Sequence, residues 1–143
     1  LPSREAEIDI IARHQAGFNP RSLTEAGIHP VAGAADIHAA REAASRIEVA
    51  PAVMAYLVDV CRATRTSPAV RLGVSPRGAT SLLRTARVWA FLQGRGFVTP
   101  DDVKTMAPST LAHRLGLRAE ANLEGITAVN VISGVLAATP VPR

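Results

Sequence analysis

The chain has 143 residues, 48% of them hydrophobic, only 3% aromatic and 20% charged, with a formal net charge of +4. This length can bury a sizeable core, and the apolar fraction excludes a disordered tail. No apolar run approaches the roughly 20 residues needed to cross a bilayer, so a soluble chain is expected. The five aromatics are Phe18, Tyr56, Trp89, Phe91 and Phe97, so the core must be aliphatic and alanine-rich. Such a core favours packed helices over a β-sandwich.

The start at Leu1 carries no basic-plus-apolar leader and no initiator methionine, which reads as a fragment of a longer protein. Ser3 caps a first helix with Glu5 and Glu7 in its opening turn; Ile8 and Ile11, with Ile10 near them, are expected to face the core, and Gly17 ends the pattern. Phe18 to Pro30 reads as a loop, and Ala34 to Ser45 as an alanine-rich helix anchored by Ile37. Ile47 and Val49 alternate with charged residues, which suits a very short strand.

Pro51 opens a third helix whose apolar pattern is Val53, Met54, Leu57, Val58 and Cys61, ending near Pro68. The lone cysteine is read as a buried small hydrophobe in a reducing compartment. Ser75-Pro76 starts the best helix, with Ala79, Leu82, Leu83, Ala86 and Ala90 on one face and Gly94 and Gly96 closing it. Thr99-Pro100-Asp101-Asp102 repeats that start as a capping box, and Pro108 is expected to break the helix that follows. Leu111 to Leu115 gives a further turn or two. A last helix runs from Thr127 to Ala138 with Val129, Ile132, Val135 and Leu136 inward. The fold class is therefore all-α, a small helical bundle over 1–143, with one very short pairing of Ile47–Val49 with Arg114–Leu117.

Most familiar chemistries are missing. The one lysine, Lys104, sits beside Val103 inside a short helix, so there is no P-loop, and no Asp-Glu pair supplies a Walker B. His14, His29, His38 and His113 are scattered without metal-ligand spacing, so no metal site is assigned. Asp101 and Asp102 suit helix capping better than acid–base work.

One local rule is broken. Arg77 falls in the first turn of a helix, where a cation opposes the dipole and the unpaired N–H groups. Two readings fit: a solvated arginine at a cost of some tenths of a kcal/mol, or an arginine waiting beside a helix start for a phosphate. Arg84 lies two turns along the same face and extends a basic stripe.

These residues resemble a known family. Gly73-Val74-Ser75-Pro76-Arg77-Gly78, Leu82-Leu83-Arg84 and Ala86-Arg87 are similar to the C-terminal helical lid of MoxR-type AAA+ ATPases. Gly94-Arg95-Gly96-Phe97-Val98-Thr99-Pro100-Asp101-Asp102-Val103-Lys104 continues in register, followed by Ala107-Pro108, Leu111 and His113-Arg114-Leu115. Leu1 to Glu7, Arg62 to Arg65 and Val135 to Pro142 extend the resemblance to nearly the whole chain. Gly78 departs from the pattern, since the family often has alanine there.

The resemblance implies a lid that follows a P-loop core, in subunits that assemble as a hexameric ring and bind ATP with Mg²⁺. Arg77 would be the sensor 2 residue, catalytic and nucleotide-contacting, with Ser75 and Pro76 beside it at the cofactor. The intact protein would be a cytoplasmic, chaperone-like ATPase that remodels partners, von Willebrand A domain proteins among them. The chain alone would be monomeric, without hydrolytic activity, and would bind no nucleotide tightly. The alternatives are a helical DNA-binding domain, which the dispersed arginines oppose, and a plain protein-interaction module.

Overall fold

The computed structural model describes residues 1–142, which fall into two units, Leu1–Ile37 and the residues from His38 onward. The first unit holds α1 (Arg4–Gln15) and the beginning of α2 (Ala34–Ser45). Ser3 accepts the Ala6 N–H at 3.3 Å, Asp9 pairs with Arg13 one turn later, and Gly17 ends α1 at a φ of 92° that glycine adopts without strain. The sequence pattern fails in one respect here: Ile8, Ile10 and Ile11 are exposed, and α1 buries nothing. A unit with one complete helix offers no second surface against which those side chains could pack. Ile37 is exposed as well; Ala44 is the residue α2 buries.

The second unit is the bundle. Its helices are α3 (Pro51–Thr66), α4 (Pro76–Leu92), α5 (Pro100–Leu111), the short α6 (Ala119–Leu123) and α7 (Ala128–Ala138). The α3 face is Val53, Tyr56, Leu57, Val60, Cys61 and Thr64. Met54 and Val58, part of the sequence pattern, point to solvent. Helix α4 contributes Leu82, Ala86 and Ala90, so its small residues let it pack closely on α5. A contact of 2.9 Å between the Thr85 and Thr110 hydroxyls ties the two helices together. Helix α7 closes the core with Val131, Ile132 and Val135, while Val129 is exposed.

Pro108 does not break α5, which continues to Leu111. The proline forfeits one backbone hydrogen bond, but Ala107, Thr110 and Leu111 around it are buried, and Pro108 O still accepts from Ala112. Thr99 and Asp102 form the expected capping box at the start of α5.

Two strands, β1 (Val70–Leu72) and β2 (Gly116–Leu117), pair antiparallel. The expected strand at Arg114–Leu117 is thus present in part, but its partner is not Ile47–Val49. That segment bridges Gly96–Val98 instead, through Glu48 N to Gly96 O and Val98 N to Glu48 O at 3.0 and 2.9 Å. Alternation identified both extended segments, and the packing of α3 on α4 and α5 chose their partners. Burial pushes the Cys61 thiol up to about 11, which holds it protonated and unreactive at neutral pH.

Candidate functional site

Helix α4 begins at a serine cap followed by proline. The Ser75 hydroxyl oxygen accepts the Gly78 N–H at 3.3 Å, and the Ser75 carbonyl accepts from Ala79 N at 3.1 Å. Pro76 has no N–H and supplies a φ already suited to the first helical position. Of the donors in this first turn, the Arg77 N–H alone has no acceptor among the described residues. The Arg77 side chain is exposed and takes part in none of the ion pairs. Arg77 thus brings an unpaired backbone N–H and an unpaired guanidinium to the first turn of a 17-residue helix, its positive end. Ser75 and Pro76 act at this site by shaping that end.

The loop before the cap is braced by the end of α3. Thr64 is fully buried; its hydroxyl accepts the Val74 N–H at 3.0 Å and donates to Cys61 O at 2.7 Å. Arg65 Nε donates to Val74 O at 2.8 Å. Both backbone groups of Val74 are thus held by consecutive residues of one helix, three positions before Arg77. Replacing Thr64 with valine keeps the shape but leaves the Val74 N–H buried and unpaired. The expected loss is about 2 kcal/mol, read from urea unfolding.

Sequence reasoning missed Thr64 and Arg65 as positioning residues. They lie ten and nine positions before Val74, and only the close approach of loop to helix reveals them. That approach depends on Gly73, where a Cβ would lie 2.7 Å from Arg65 Cα. It also explains Gly78: a Cβ there would lie 2.6 Å from Val74 Cγ1, so helix propensity yields to the space that buried Val74 occupies. No group of three or more His, Cys, Asp or Glu that could hold a metal occurs among the described residues. No helix among them is long and apolar enough to cross a membrane.

These features define a small helical module that presents one unpaired arginine on a braced helix start. The chain belongs to the AAA lid domain family, whose model matches residues 62–135, and it is a lid of the MoxR type. It is 33% identical over 141 residues to the uncharacterized protein YeaC of Bacillus subtilis strain 168, covering 99% of this chain and 42% of that protein. It is 37% identical to Protein MoxR of Methylorubrum extorquens, over 79% of this chain and 38% of the relative. With Chaperone MoxR1 of Mycobacterium tuberculosis the identity is 31%, over 99% and 38%. The chain thus spans about two fifths of the length of these curated relatives. A crystal structure of an ATPase candidate from Cytophaga hutchinsonii shares the fold at a TM-score of 0.80 and 24% identity, over all of this chain and 44% of that one.

Proposed function

We propose that residues 1–143 serve as the lid of a MoxR-type AAA+ ATPase and that Arg77 is its sensor 2 residue, contacting ATP held by a P-loop core of the same subunit. The observation that carries this reading is the Arg77 pair of free donors at a helix start whose preceding loop is tied down through Val74. A phosphate fits such a start: the guanidinium donates in a fork, the N–H adds a third bond and the dipole adds field. Bound ATP supplies the transferable phosphoryl group, with Mg²⁺ held by residues of the core. Arg77 would stabilise charge on that group and link nucleotide state to lid position. Ser75 and Pro76 hold the backbone that aims it.

In this reading the intact protein works in the cytoplasm as a ring, a hexamer in the family pattern. There it remodels client proteins, von Willebrand A domain proteins among them. The chain alone neither hydrolyses ATP nor binds it tightly. The test is ATP turnover by the full-length protein carrying Arg77→Ala. Turnover should fall about 100-fold, the scale of one lost transition-state donor, while circular dichroism of the variant matches the parent. Unchanged turnover removes Arg77 from the mechanism.

A further inference from the structure

We propose that Arg41, Arg84 and Arg87 form a second anion site, independent of Arg77, that holds the phosphoryl group of a phosphate ester. A groove of about 550 Å³ lies between the end of α2 and the middle of α4, lined by Arg41, Ala44, Ser45, Arg84, Arg87 and Val88. Arg84 and Arg87 stand one turn apart on α4, a helix that contains three arginines and no acidic residue. Four cations elsewhere form ion pairs, Arg13 with Asp9, Arg46 with Glu42, Arg95 with Asp102 and Lys104 with Asp101. None of the three groove arginines has a carboxylate partner among the described residues.

Arg87 supplies the second observation. Its Nε is buried and has no hydrogen-bond partner. A buried donor without an acceptor is destabilising, and three unpaired cations around one groove add mutual repulsion. A bound oxyanion offsets that repulsion, because guanidinium forks match its oxygens. Three positive charges favour a phosphate dianion over a single carboxylate, which would leave two cations uncompensated. The groove is larger than a phosphate, and its remaining wall is Ala44, Ser45 and Val88, so the organic part of an ester has apolar surface from Ala44 and Val88 to lie on.

The test titrates the ¹⁵N-labelled chain with inorganic phosphate, then pyrophosphate, at constant ionic strength. The Arg87 Nε–H and the amides around 41–45 and 84–88 should shift saturably, and Arg77→Ala should leave those groove shifts unchanged. Arg41 and Arg84 are exposed, so a double Arg41→Gln, Arg84→Gln variant keeps the fold. It should weaken binding by roughly tenfold or more. Arg87→Lys, which keeps the charge but loses the guanidinium fork, should also weaken it. Shifts that grow linearly with phosphate, or survive the double substitution, would reduce the effect to screening and overturn the site. Saturable binding of a poly-aspartate peptide with none of phosphate would overturn the ligand class.

Discussion

Replacing Asp102 with alanine is expected to lower the stability of the bundle by about 3 kcal/mol, combining a lost helix cap with the loss of buried charge-assisted bonds. Asp102 is 3% exposed, and one of its oxygens accepts from Thr99 N at 2.7 Å, the Thr99 hydroxyl at 2.9 Å and Arg95 Nη1 at 2.7 Å. Arg95 Nη2 bonds the other oxygen. Arg95 also donates to Phe97 O at 3.3 Å, so the carboxylate joins the start of α5 to the segment that meets Glu48. Asp102→Asn keeps an acceptor for Thr99, as Asn130 does for Thr127 at the start of α7, and should cost less than alanine. Thermal or urea unfolding of the three proteins gives the order.

The same carboxylate makes stability depend on pH. Burial pushes the Asp102 carboxyl up, but the Arg95 guanidinium and the two Thr99 donors outweigh burial and hold it below the usual carboxylate range. A depressed native value means that stabilisation is complete above the unfolded value near 3.9 and is lost as pH falls through the native one. Unfolding free energy should therefore decline below about pH 4 in the parent. Asp102→Asn should show a shallower decline. Equal slopes in the two proteins would assign the acid sensitivity to other groups.

Gly73→Ala should be the most damaging glycine substitution, with an expected loss of about 3 kcal/mol. The added Cβ would lie 2.7 Å from Arg65 Cα and 2.9 Å from Arg65 N. Those are backbone atoms of α3, which cannot step aside as a side chain can. Relief requires the loop to lift from the helix, breaking the two hydrogen bonds that hold Val74 and displacing the start of α4. Gly96→Ala is the matched control. It meets nothing within 4 Å and its φ is not positive, so its effect should stay within about 0.5 kcal/mol. Equal effects at the two positions would refute the close-approach argument.

The helix starts were legible because capping is local chemistry. Ser3, Ser75, Thr99 and Thr127 each accept a backbone N–H within three residues. Inward faces were less legible. Leu82, Ala86 and Ala90 are buried as their spacing indicates, but Ile8, Ile11, Ile37, Met54 and Val58 show the same kind of spacing and stay exposed. Periodicity states which residues share a face; whether another element covers that face is not local information. Helix α6 escaped notice because five residues bracketed by Arg118 and Gly125 carry too little pattern.

Arg77 stood out in the sequence because a cation in a first helical turn violates a local electrostatic rule, and no tertiary knowledge was needed to see it. Composition, with fifteen arginines to one lysine, likewise excluded a P-loop within these residues. Tertiary structure decided what braces that arginine and what accompanies it. Thr64, Arg65 and Gly73 reach Val74 only because the loop folds back onto α3. Arg41 meets Arg84 and Arg87 only because α2 ends beside α4. Caps and dipoles act over one turn, which the sequence displays directly. Loop closure and the meeting of distant charges depend on packing among residues tens of positions apart.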